Sequence, residues 1–164
     1  MHKTLVIGLG NPILTDDGVG VKVAYELEKV LADSRPDVTV TEACVGGLRL
    51  MEMMVGFDRA IIVDAFTNGS NTPGKMHRMT LDDLRAVSPT QHTASAHDTT
   101  LVTALDAGKA LDMHLPQDVV IYAIEVENVM DFSNEPTPDV AAAIPGAVTA
   151  VLQELAFHPT NIDE

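Results

Sequence analysis

Carboxylate and imidazole side chains stand at three places where an apolar run gives way to a loop or a helix. Asp16 and Asp17 follow the glycine-rich stretch Gly8-Leu9-Gly10-Asn11-Pro12-Ile13-Leu14-Thr15, Asp64 closes Ile61-Ile62-Val63, and His97 lies in Ser95-Ala96-His97-Asp98. Two carboxylates and one imidazole make a divalent-metal site whose oxygen and nitrogen donors suit nickel, zinc or cobalt. Three protein ligands leave coordination positions for water or substrate. Each residue also has an ordinary structural reading. Asp17 alone reads as a helix cap or first-turn acid, Asp64 as a strand-end acid bonded to loop amides, and His97 as a helix-start or core histidine. Asp16 is the better cap for the following helix, with Thr15 as the alternative. What joins the three places is topology, because an open α/β sheet gathers the carboxyl ends of its parallel strands into one crevice.

The elements that must position these residues follow from apolar spacing. Thr4 to Gly8 is a short buried strand, and from Val19 the positions Val23, Ala24, Leu27, Val30 and Leu31 recur at helical spacing, with Gly18 and Gly20 loosening the helix start. Asp37 to Glu42 is a second strand. Gly46-Gly47 opens a helical stretch from Leu48 to Val55 whose methionines belong to the core. Arg59 to Phe66 is the third and most buried strand, and a turn-rich segment from Thr67 to Gly74 leads to an edge strand at Lys75 to Met79. Thr80-Leu81-Asp82-Asp83 reads as a cap and first turn, and Ser88 to Thr93 as a loop. His97 begins a helix carried inward by Leu101, Ala104, Leu105 and Leu111, after which Val119 to Ile124 is the last central strand. Thr137 caps a terminal helix with Pro138 at its first position, an inner face of Val140, Ile144, Val148, Val151 and Leu155, and a kink at Pro145. Alternating strands and helices predict a three-layer α/β/α domain with a mostly parallel sheet, one domain over residues 1–164.

Charge and composition narrow the partners. Ten Lys and Arg against 24 Asp and Glu give a net charge of −14, which repels phosphate backbones and anionic lipid. Without Trp and with 4% aromatic residues the chain has little with which to stack bases. Nucleic acid and membrane are therefore excluded as expected partners. No apolar run approaches the roughly 18 residues of a spanning helix, and Met1-His2-Lys3 leads directly into a strand, so a cytoplasmic location is expected. Cys44 is the single cysteine, which rules out an internal disulfide or thiolate cage. A lone cysteine is usually a buried small hydrophobe, and no Cys-His signature surrounds this one. The third glycine of a dinucleotide fingerprint starting at Gly8-Leu9-Gly10 would fall on Ile13, and no Gly-x-Ser-x-Gly elbow exists. His2, His77, His92, His114 and His158 read as solvated, with His92 as the substitute ligand.

The run from Gly8 to Gly20, with Ile61-Ile62-Val63-Asp64-Ala65 and Ser95-Ala96-His97 in that order, resembles the hydrogenase maturation endopeptidases. That family trims the C-terminal tail from the large-subunit precursor of nickel-iron hydrogenases, and the similarity extends from about Thr4 to Leu155. The resemblance implies a five-stranded α/β/α sandwich with one antiparallel strand, which suits Lys75 to Met79. It also implies that Asp17, Asp64 and His97 are the catalytic and metal-ligating residues of a monomer. Nickel would arrive on the precursor's cysteine thiolates and be completed by these three residues, with zinc or cadmium as surrogate ions and the precursor as the partner. Two departures stand out. Ala43-Cys44-Val45 precedes Gly46-Gly47 where a Gly-Gly-Thr or Gly-Gly-Ser element is common, and Asp98 follows the histidine where Gln or Asn is frequent. They leave the hydrogenase subtype open. Asp16 remains a candidate base for activating water, and a noncatalytic nickel-dependent checkpoint or a generic metallohydrolase would use the same ligands.

Overall fold

The computed structural model describes residues 2–67, 69–86 and 96–157, the side chains of 96–100 excepted. Apolar runs supply the strands: β1 (Thr4–Leu9), β2 (Val38–Ala43), β3 (Arg59–Phe66), β4 (Met76–Thr80) and β5 (Asp118–Glu125). They form one sheet in the order β2-β1-β3-β5-β4. β1 pairs in parallel with both β2 and β3, and β3 with β5, while β4 runs antiparallel along the β5 edge. The helices are α1 (Val19–Leu31), α2 (Gly47–Met54), α3 (Leu81–Ala86), α4 (Ala96–Ala110) and α5 (Pro138–Ala156). Every boundary that hydrophobic spacing predicts within these residues falls close to an observed one; the loop expected at Ser88 to Thr93 lies outside the described residues.

Alternation along the strands divides the core into two layers. Val6, Ile61, Val63, Val120 and Ile124 point to one face, where α1 and α5 cover them with Val23, Leu27, Val140, Ala147 and Val151. Leu5, Ile7, Ala60, Ile62 and Ile121 point to the other, under α2, α3 and α4 with Leu50, Met51, Met54, Leu84, Leu101 and Leu105. The fold is therefore an α/β/α sandwich, and Met51 and Met54 are core residues as their helical spacing predicts.

Three expectations need correction. Leu111 is 75% exposed, because α4 ends at Ala110 and the chain turns through Asp112, whose φ is +55°, so that Leu115 packs in its place. Thr137 occupies the cap position of α5, but its side chain makes no bond to that helix. The 19 residues of α5 are long and apolar enough, by length and composition, to cross a membrane, contrary to the expectation that no run reaches that size. Alanines between the larger residues raise its mean hydropathy, while Val140, Ala147, Val151 and Leu155 seat it on the sheet. The helix continues through Pro145.

A charged cluster fastens α5 to the sheet. Buried Arg59 donates to the Glu154 carbonyl at 2.9 Å and pairs with its Oε1 at 2.5 Å. Arg78 from β4 donates through Nε to Oε2 at 2.8 Å, and the Tyr122 hydroxyl donates to the same oxygen at 2.6 Å. The Arg78 hydrogen bond, seconded by that of Tyr122, outweighs burial and holds the Glu154 carboxyl down at about 2. Burial and the Glu154 contact push the Tyr122 hydroxyl up to about 12. A depressed carboxyl stabilises the fold above its unfolded pKa and loses that contribution as pH falls through the folded value. Stability should therefore drop between pH 4.5 and 2, by about 2–3 kcal/mol from this group. Urea unfolding across that window reads it, and in Glu154→Gln this part of the pH dependence should vanish; an unchanged slope would remove Glu154 as its source.

Candidate active site

The loop after β1 is shaped by close backbone approach. Gly10 has φ +136°, and a Cβ there would lie 1.8 Å from the Asp17 carbonyl oxygen, so only glycine lets the chain fold back on itself. A single 3-10 turn, Thr15–Gly18, then carries the two aspartates into α1. Gly20 sits where a Cβ would lie 2.2 Å from the Val63 carbonyl oxygen and 2.5 Å from that of Leu9. The first turn of α1 thus rests directly on the carboxyl ends of β1 and β3. This glycine serves tight helix-on-strand packing rather than a loosened helix start, and the packing brings Asp17 to the strand end that bears Asp64.

Asp17 and Asp64 line the same cleft, of about 90 Å³, together with Gly10, Cys44, Phe66 and Val129. Asp17 is half-buried and its Oδ2 accepts the Asn11 amide at 2.8 Å. Asp64 is buried, and its Oδ1 accepts the Ala65 amide at 2.8 Å. The backbone of His97 is the second residue of α4. A helix of 15 residues is about 22 Å long, and α4 leads through residues 111–117 into the start of β5. Its first turn consequently lies toward the carboxyl edge of the sheet, the edge on which the cleft opens. The His97 side chain is outside the described residues, and among the described residues no group of three or more His, Cys, Asp or Glu is close enough to hold a metal.

The neighbouring acid has another task. Asp16 is 0% exposed and does not cap α1, whose cap position is Gly18 without a side-chain bond. Its Oδ2 accepts the amides of Glu127 at 3.1 Å and Asn128 at 3.0 Å, and its Oδ1 accepts the Thr137 amide at 2.6 Å. The Thr137 hydroxyl lies 3.0 and 2.9 Å from the two oxygens. A carboxylate enclosed by so many donors has no access to a water in the cleft, so the general-base reading of Asp16 does not fit its surroundings. Thr15 does not cap either; its hydroxyl donates to the Asp131 carbonyl at 2.6 Å.

Two further positions depart from expectation. Cys44 is exposed on the cleft wall rather than buried, because β2 ends at Ala43 and the chain leaves the sheet there. His77, read as solvated, has its Nε2 3.0 Å from Oε1 of buried Glu125 and its ring edge-on to Phe66. Glu125 also accepts from the Ser70 hydroxyl at 2.7 Å and from Thr72, which pins the β3–β4 loop beside the cleft. Glu125 ends β5 within an apolar strand pattern, and a lone acid closing such a strand is the sequence signal for it. His2 and His114 are exposed, whereas His92 and His158 lie outside the described residues.

Known proteins resemble this chain in sequence and in fold. The hydrogenase 2 maturation protease of Escherichia coli is 30% identical over 159 residues, covering 93% of this chain and 90% of the relative. The solved structure of the E. coli hydrogenase maturating endopeptidase HybD superposes with a TM-score of 0.77 at 28% identity, covering 94% of this chain and 92% of that one. The [NiFe] hydrogenase maturation protease HybD of Thermococcus kodakarensis, at 24% identity and a TM-score of 0.71, covers 94% and 99% of the two chains and shows the common fold. The hydrogenase maturation protease family, HycI, matches residues 21–154, which include Asp64 and His97. With that match over most of its length and a relative aligned nearly end to end, the chain belongs to the hydrogenase maturation proteases, a family of endopeptidases.

Proposed function

We propose that the protein removes the C-terminal extension of a nickel-iron hydrogenase large-subunit precursor after nickel has been inserted, and that it recognises the metal through Asp17, Asp64 and His97. The observation that carries this reading is the meeting of Asp17 and Asp64 in one cleft at the carboxyl ends of β1 and β3. Two carboxylates and an imidazole without a thiolate hold free nickel weakly. The precursor's cysteine thiolates supply the remaining affinity. Nickel is thus part of the substrate: it docks the adjacent peptide bond against the cleft and, as a Lewis acid, polarises the scissile carbonyl or a water.

Nickel-loaded precursor should lose its tail, read by mass, while metal-free precursor stays intact with the protein in excess. Equal cleavage of both forms would sink nickel recognition. Complex formation with the loaded form but no cleavage would favour a checkpoint role. Cys44→Ser should leave processing within about twofold, because no histidine stands among the described residues that line the cleft with Cys44. A trapped thioester in the wild type would overturn that expectation.

A further inference from the structure

Large apolar side chains stand in water on the two segments that supply Gly10, Asp17 and Val129 to the cleft. Met130 and Phe132 are each 81% exposed and Ile13 is 49% exposed. The two segments that carry them are stitched together: Leu14 bridges Ser133, the Ser133 amide donates to the Ile13 carbonyl at 3.0 Å, and the Thr15 amide donates to the Ser133 carbonyl at 3.0 Å. Ile13 and Phe132 each lie one residue before a bridge partner, so the segments that carry them are neighbours. Val129 lines the cleft with Asp17 and Asp64, so this apolar surface begins at the cleft's own wall.

The loop that presents these residues is fixed. Residues 126–137 form no helix or strand, yet the buried Asp16 carboxylate holds the amides of Glu127, Asn128 and Thr137. The Asn128 Oδ1 accepts the amides of Met130 and Asp131 at 3.2 and 3.1 Å. Burying a carboxylate is costly. Here it orders a long loop that keeps two large apolar side chains out of the core, a combination that marks an interaction surface rather than a packing element.

We infer that Ile13, Met130 and Phe132 form the docking surface for the folded body of the nickel-loaded precursor, next to its cut site; this rests on the proposed substrate. Continuity with the cleft identifies the occupant, since a protein whose tail enters the cleft must lie against the wall that Val129 begins. Charge identifies its face. Residues 126–137 contain Glu127, Asp131 and Glu135 and no Lys or Arg, so the complementary surface is apolar with basic flanks. A second copy of this chain fits poorly, because an isologous contact would set that acidic rim against itself.

The test is the double variant Met130→Ser with Phe132→Ser, assayed on full-length nickel-loaded precursor. KM should rise about tenfold with kcat within about twofold, the mark of lost ground-state binding at an interface anchor. The thermal midpoint should not move, since neither side chain is packed. Leu111→Ser, which removes a similarly exposed apolar residue just past the far end of α4, should change nothing. An unchanged KM in the double variant overturns the docking surface while leaving the cleavage reading standing. A wild-type dimer in sedimentation that the double variant dissociates, with KM unchanged, assigns the surface to a second copy and likewise overturns it. If the wild type cuts no loaded precursor, the substrate reading fails and the docking surface falls with it.

Discussion

Asp17→Asn should lower precursor cleavage by at least about 100-fold, the scale on which an oriented polar or charged group registers in catalysis, and should leave the fold intact. Asp17 is half-buried and its Oδ2 accepts a hydrogen bond from the Asn11 amide. An asparagine carbonyl keeps that acceptor, so the loop between β1 and the first turn of α1 holds its shape. What disappears is the charge facing the cleft that Asp64 shares. His97→Ala should abolish processing in the same assay. Tail release followed by mass, with a urea unfolding curve for each variant, separates chemistry from stability. Wild-type cleavage in Asp17→Asn would remove this residue from the reaction.

Asp16→Ala, one position away, should do the reverse and act on stability rather than on chemistry. It strands the part-buried amides of Glu127, Asn128 and Thr137 together with the Thr137 hydroxyl. A fully buried orphaned donor costs about 1–3 kcal/mol, and since these are part-buried and regain water as the loop loosens, a total of about 3–5 kcal/mol is expected for the four. Against a typical stability of about 5–15 kcal/mol, this is a large fraction. The loss should appear as a lower urea midpoint, together with early exchange of the amides of residues 127–137. A shift below about 1 kcal/mol would show that the hub is not structural. Two adjacent aspartates are thus expected to fail in opposite ways, and the reason is only where each carboxylate points.

The elements of this fold were legible because their causes are local. Val6 and Ile61 sit in apolar runs that only a buried strand explains, Val23 and Leu27 recur with the helical period, and Pro138 marks its helix start through its own fixed φ. Leu111 broke the pattern because Asp112 turns the chain, a choice that helical spacing does not encode. The Gly10 and Gly20 positions were visible as glycines, but their purpose was not. It depends on the Asp17, Leu9 and Val63 carbonyls that lie against them once the helix lands on the sheet.

The same division runs through the site. Sequence by itself marked the Asp16-Asp17 pair, Asp64 and His97, because strand ends and helix starts of a parallel sheet share an edge whatever the details of packing, and the family resemblance singled out Asp17 from the pair. It also offered Asp16 as a helix cap, the role that nearby residues favour. The tertiary structure overruled this, since the donors that claim Asp16 lie 111, 112 and 121 residues further along the chain. It likewise exposed Cys44 on the cleft wall and joined His77 to buried Glu125 across 48 residues. Backbone preference and apolar period are properties of neighbours in sequence and can be read there. The partner of a buried charge is whichever donor the folded chain brings within about 3 Å, and that is decided only when the sheet, its helices and their loops close on one another.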